Sequence, residues 1–353
     1  MQEHRISSRA QRALVATNCD TLVVSDPATV TWLTGFAPEV IFGPSPFAAP
    51  PLVVVRTGGD VVAIVSSDQA PSVTACDVVS YEGFTTGPLA PYEGQRIALR
   101  SIACSGRIGV DTLVLPGLLE SSGTQDVGTT LDRLRAVKDA YELERIRAAV
   151  KLCDVGQATA RARVLAGSRE LELWSSIQSA MEAHAGERLP LLCDVVSGPR
   201  SAEVGGPPTV RTLERGDLVI VDLVPRLHGY WGDSCATLTT GNPPIAAREA
   251  HAQCVAALER GIAAVRPGVV AGELDALIRA GLDYPHHSGH GLGTTLHEEP
   301  RIVPGSTTVL EAGMVIALEP AAYHDSWGVR VERVVAVTET GCEILSGHDI
   351  DLG

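Results

Sequence analysis

Apolar positions along this chain recur with two different periods, and the switches between them outline its elements. The opening stretch MQEHRISSRAQRALV mixes charge with apolar positions at a spacing compatible with helix. DTLVVSD then supplies an apolar run of strand length, and PLVVVRTGGDVVAIVSS reads as two strands joined by a Gly-Gly-Asp turn. Between them APEVIFGPSPFAAPP, residues 37–51, is too rich in proline for a helix or a central strand and is expected as loop. Short strands and helices alternate as far as VGTTLDRLR, so residues 1–132 are expected to form a smaller α/β domain.

Beyond that point the helical period dominates first. Asp139 and Glu142 have the spacing of a capping box, and Leu143, Ile146, Val150 and Cys153 follow on one helical face toward the stop signal Gly167. A second helix is expected over ELELWSSIQSAMEAHAGE, then a strand at LLCDVVSG, with further helices near 245–265 and 272–281. Residues 133–353 therefore read as a larger α+β domain.

Within this domain the strand pattern carries carboxylates where apolar residues belong. Asp222 and Asp233 lie in VIVDLVPRLHGYWGDSCATL, and Glu319 and Glu332 lie in VIALEPAAYHDSWGVRVERVVAV. Facing residues of an antiparallel hairpin share a constant sum of residue numbers. Asp222 therefore faces Asp233 if a turn is centred at Leu227 and His228, and Glu319 faces Glu332 if one is centred at Asp325 and Ser326. Facing pairs lie about 4.5–5.5 Å apart at Cβ. Like charges that close in apolar surroundings call for a compensating cation. With His290 from HHSGHGLGTTLHEEP they make a set of four carboxylates and one imidazole, suited to two divalent ions.

Composition narrows the class of molecule. The 353 residues suffice for two domains, and 45% apolar content excludes wholesale disorder. A formal net charge of −14 argues against nucleic acid as a partner, because a phosphate backbone demands a basic face. The eight cysteines are scattered without a CxxC pair, which points to reduced, mostly buried thiols. With no signal-peptide pattern and no apolar run of about 18 residues, the expectation is a soluble cytoplasmic protein without membrane contact.

The settings VDLVPRLHGYWGD, GHGLG, ALEP and GVRVE resemble those of the M24 pita-bread metallopeptidases, the family of aminopeptidase P, prolidase, methionine aminopeptidase and the metal-free creatinase. WLTGF at 32–36 resembles the start of the N-terminal domain that aminopeptidase P, prolidase and creatinase carry. The resemblance implies a C-terminal pita-bread domain preceded by a smaller creatinase-type one. It also implies a homodimer and two divalent ions, Mn²⁺ foremost with Co²⁺ or Zn²⁺ as alternatives. The implied metal ligands are Asp222, Asp233, His290, Glu319 and Glu332, with Asp233 and Glu332 bridging. A hydroxide between the ions would attack the amide of a small peptide of Xaa-Pro type, Glu319 would move the proton, and His297 would steady the oxyanion.

Some surroundings depart from that pattern. The upstream histidine that the resembled peptidases aim at substrate falls on Gly205, in SGPRSAEVGGPP, where glycine leaves a gap. Cys235, Ala236, Arg333 and Val334 also replace expected residues. His286 and His287 are candidates for substrate binding beside His297, with His287 better placed to compensate. His228 is excluded because five residues of strand put it about 16 Å from Asp233. Hydrolysis of a small non-peptide amide and a catalytically silent metal-binding role are the competing readings.

Overall fold

In the computed structural model, which describes residues 2–40, 45, 47–83, 90–111 and 123–353, the chain divides into Met1–Arg135 and Ala136–Gly353. The first unit is built on a six-stranded mixed sheet. Its elements in chain order are α1 (Gln2–Thr17), β1 (Thr21–Val24), α2 (Pro27–Thr34), β2 (Leu52–Arg56), β3 (Asp60–Ser66), β4 (Asp77–Tyr81), α3 (Pro91–Arg100), β5 (Ile108–Val110), β6 (Thr124–Asp126) and α4 (Gly128–Ala136). The strands run in the order β4-β3-β2-β1-β5-β6. Val53 and Val55 pack on one face with Trp32 and Leu131, while Leu52 and Val54 pack on the other with Leu99. Burial on both faces explains the unbroken LVVV run of β2. The turn from β2 to β3 uses Gly58 and Gly59, both at positive φ. The loop expected over 37–51 has no helix or strand where it is described, and its residues 41–44 and 46 lie outside the described residues.

The second unit starts on the capping box, with Asp139 accepting from the Glu142 amide, and runs on as α5 (Ala140–Arg163) and α6 (Glu170–Ala185). The first of these helices stops at Arg163, short of Gly167. There follow β7 (Leu191–Ser197), β8 (Leu218–Leu227), β9 (Tyr230–Trp231), β10 (Ser234–Thr239), α7 (Ile245–Ala264), α8 (Ala271–Arg279) and β11 (Gly289–Gly291). The chain closes with β12 (Glu298–Ile302), β13 (Val315–Leu318), β14 (Ala321–His324), β15 (Trp327–Arg330), β16 (Arg333–Val337) and β17 (Cys342–Ile344). One sheet has the order β10-β8-β7, a second β12-β11-β13-β16-β17, and β14 pairs with β15.

Each larger sheet has its own helical backing. Leu152, Leu173 and Ile177 of α5 and α6 cover Val219 and Val221 of β8, and Cys254, Leu258 and Leu274 of α7 and α8 cover Ile316 and Leu318 of β13. Ile146 and Val150 also reach Val315, Ala317 and Val334 of the second sheet. Among the described residues no helix is long and apolar enough to cross a membrane. All eight cysteines are free, four buried and four partly so.

Candidate metal centre

Hairpin register decides which carboxylates meet. In the first hairpin Leu227 pairs with Tyr230, so the turn falls on His228 and Gly229, both at positive φ, the signature of a tight two-residue turn. This corrects the expected centre by one residue, and Asp222 faces Cys235 rather than Asp233. Asp233 lies between β9 and β10, where the same register sets it opposite Val224. Alternation along β8 puts Val224 and Asp222 on one face, so the two carboxylates still share a side. The second hairpin follows the expected register. Leu318 pairs with Arg333 and Ala321 with Arg330, which sets Glu319 opposite Glu332 in the short break between the two sheets.

The five predicted ligands converge. His290 Nε2 lies 3.5 Å from Asp233 Oδ2 and 3.5 Å from Glu319 Oε1. Its Nδ1 is hydrogen-bonded to the Gly291 carbonyl at 2.9 Å, which leaves Nε2 free for the cluster. Donor atoms of Asp233, His290 and Glu332 lie within 4.8 Å of one another. Glu332 Oε1 and Asp222 Oδ1 are buried with no hydrogen-bond partner among the described residues. Burial drives Asp233 and Glu332 well above the usual carboxylate range, with their neighbouring carboxylates adding to the effect. Burial also raises Asp222 to about 6 against the pull of Arg330, and pushes His290 down to about 3. Orphaned buried acceptors around a free imidazole nitrogen fit a divalent cation centre.

Three further histidines border this cluster. His287 Nδ1 receives an N–H from Arg301 at 2.8 Å, so its Nε2 carries the hydrogen and donates to Glu319 Oε1 at 2.7 Å. Burial alone would raise Glu319, but the His287 hydrogen bond foremost holds it down at about 2. The ring of His297 lies 4.1 Å from that of His290 and 5.2 Å from that of His287, and burial lowers its pKa. His286 is engaged at both nitrogens, with the Tyr323 hydroxyl at 3.0 Å and the His287 carbonyl at 2.8 Å. His228 stays at the hairpin tip, against Arg145 and Glu187.

Two residues of the site escaped the sequence reading. Arg330, 4% exposed, donates to Asp222 Oδ2 at 2.6 Å, to the Tyr323 hydroxyl at 2.9 Å and to the Val204 carbonyl. The signal for it was its place two residues before Glu332 in GVRVE, a strand-period match. Asp194 of β7 is the direct cross-strand partner of Asp222. The gap expected at Gly205 is absent, because a β-carbon there would overlap Asp194 Oδ2.

Comparisons with known proteins bear on the family and the fold. An Xaa-Pro dipeptidase of Pyrococcus furiosus is 35% identical over 227 residues, covering 62% of this chain and 65% of its own length. A probable dipeptidase PepE of Mycobacterium tuberculosis is 34% identical over 220 residues, 60% of this chain and 58% of that protein. The chain thus spans 58–65% of these relatives' length. Among solved structures, the prolidase of Pyrococcus horikoshii superposes with a TM-score of 0.84 at 23% identity, covering 99% of both chains. The prolidase of Pyrococcus furiosus gives 0.80 at 25% identity, over 96% of this chain and 99% of the other. These superpositions show the α+β pita-bread fold with its preceding N-terminal domain. Residues 144–339, more than half of the chain, match metallopeptidase family M24, and the chain belongs to that family.

Proposed function

We propose that the chain is a metal-dependent dipeptidase of Xaa-Pro type, which hydrolyses the amide bond of a small peptide. The observation that carries this reading is the orphaned buried Glu332 Oε1 in one cluster with Asp233 and His290 Nε2, together with a second orphaned acceptor, Asp222 Oδ1. The names of the relatives, Xaa-Pro dipeptidase and probable dipeptidase, support the substrate class. Asp222, Asp233, His290, Glu319 and Glu332 would hold two divalent ions, Mn²⁺ by preference and Co²⁺ or Zn²⁺ otherwise. Bound there, the ions supply Lewis acidity, which makes water acidic near neutral pH and polarises an amide carbonyl.

The chain's own groups take the remaining tasks. Glu319, kept ionised by the His287 hydrogen bond, accepts the proton of the attacking water and passes it to the leaving nitrogen. His297 donates to the oxygen on which negative charge develops. His287 and His297 face the substrate, and His286 supports them through Tyr323. The exposed Arg301 guanidinium beside His287 offers a cation to a substrate carboxylate. In the same reading residues 133–353 are the catalytic domain and 1–132 the creatinase-type domain of a cytoplasmic homodimer.

The test is metal analysis by mass spectrometry combined with a panel of Xaa-Pro dipeptides and small non-peptide amides. Two ions per chain with turnover of Xaa-Pro dipeptides is the expected result. Full metal occupancy without hydrolysis would establish a silent metal-binding protein instead, and turnover of non-peptide amides alone would replace the dipeptidase reading.

A further inference from the structure

Asp194 is a carboxylate beside the metal centre that belongs to no ligand set. It projects from β7 on the same side as Asp222, its direct partner across the ladder. Opposite it the chain makes a tight turn at Val204, with φ 70 and ψ −50, closed by a 2.8 Å hydrogen bond from the Gly205 amide to the Glu203 carbonyl. A positive φ at a β-branched residue is strained, so the surrounding structure holds this turn in place. The Val204 carbonyl accepts from Arg330, which ties the turn to the site. Gly205 then brings bare backbone against Asp194, whose Oδ2 fills the space a side chain would take.

The charge of Asp194 has no cation assigned to it. Among the described residues its side chain has neither a hydrogen-bond nor an ion-pair partner, although the residue is only half-exposed. Arg330 directs its donors to Asp222, Tyr323 and Val204. Two divalent ions would offset the four ligand carboxylates, and the Arg330 charge would match that of Asp194 in number. The Arg330 donors are spent on Asp222, Tyr323 and Val204, however, so Asp194 would remain without a direct counter-ion. The opposite polarity gathers about other ligands: His287 contacts Glu319, His297 packs on His290, and Arg301 holds His287. A substrate carrying both charges matches such a site, with its cation toward β7 and its carboxylate toward Arg301.

We propose that Asp194 is a specificity-determining residue that binds an ammonium group on the N-terminal side of the scissile amide, next to Asp222. This rests on the dipeptidase reading above. The ammonium has two sources, the α-amino group of the first residue or a basic side chain on it. A charge-assisted hydrogen bond of this kind corresponds to about a tenfold to hundredfold preference.

The experiment uses the full chain loaded with Mn²⁺, with Asp194→Asn and Asp194→Ser as variants and metal content measured for each. The kcat/KM values are compared within two substrate pairs, Lys-Pro against norleucine-Pro and Leu-Pro against N-acetyl-Leu-Pro. Titration calorimetry compares the free compounds lysine with norleucine, and leucine with 4-methylpentanoate, which needs no turnover. The expected result is a preference of about tenfold or more for the cationic member of one pair, collapsing toward unity in both variants while metal content holds. Collapse in the first pair identifies the side-chain ammonium, and collapse in the second the α-ammonium. Preferences that survive both substitutions, or that are absent from the unmodified protein in kinetics and calorimetry alike, overturn the proposal. Absence of hydrolysis with charge-selective binding retained would fault the dipeptidase reading alone.

Discussion

Arg330 and His297 occupy opposite kinds of position, and substituting them should separate support from chemistry. The Arg330 guanidinium is buried and answers the Asp222 carboxylate at 2.6 Å. Replacing it with methionine leaves that carboxylate without its counter-charge, and breaking such a pair from one side costs about 3–5 kcal/mol. Denaturant unfolding of the metal-free Arg330→Met variant should show a loss of that size, and an unchanged midpoint would mean that Asp222 is compensated elsewhere. His297→Ala should instead retain both metal ions and lower turnover by about two to three orders of magnitude, the usual loss for one oxyanion donor. Unchanged turnover on a cleaved substrate would make His297 structural. The clustering of the five candidate ligands was legible because carboxylates set into apolar strands are costly to bury unless a cation answers them. Asp194 was not, because its significance depends on a neighbour eleven residues away, Gly205, and only the folded chain brings the two together.

At the scale of elements, the two hairpins show what residue arithmetic can and cannot read. The sum rule found the second turn at Asp325 and Ser326 because the spacing of Glu319 and Glu332 matches a regular ladder. It missed the first by one residue because it assumed that Asp222 and Asp233 face each other, whereas Gly229 draws the positive-φ turn to itself and its preceding histidine. Both sets still reach one side, since a shift of two along a strand preserves the face. Long-range anchoring was not readable at all. His251 of α7 is one such anchor, with Nε2 2.9 Å from the Ile350 carbonyl of the C-terminal segment and burial lowering its pKa. A histidine held neutral in the folded chain but titrating near 6.5 when unfolded favours the unfolded state as pH falls. Stability should therefore be fully present above about pH 6.5 and decline below it, by no more than about 1.4 kcal/mol per pH unit from this group. Denaturant midpoints at pH 8 and pH 5 should differ less in His251→Gln, and an equal difference would remove this group from the acid response.

Across the whole molecule, the five candidate ligands come from β8, the break before β10, β11, and the breaks beside β13 and β16, all within Ala136–Gly353. These segments span more than a hundred residues of sequence, so a bound cation joins parts of the fold that no local interaction connects. Binding to the folded state alone stabilises it by about 2.7 kcal/mol when free metal is a hundred times its Kd. Chelator-stripped protein titrated with Mn²⁺ should consequently unfold at rising denaturant concentration as metal is added, and Asp233→Ala or Glu332→Ala should flatten that rise. Hydrogen exchange gives the location: protection gained on adding metal should concentrate in β8, β10, β13 and β16, the strands that carry or flank the carboxylates. The chain before Arg135 supplies none of the five ligands, and its exchange should respond less. A midpoint indifferent to Mn²⁺, Co²⁺ and Zn²⁺ would mean that the orphaned acceptors of Asp222 and Glu332 hold no cation, and the metal centre would fall with them.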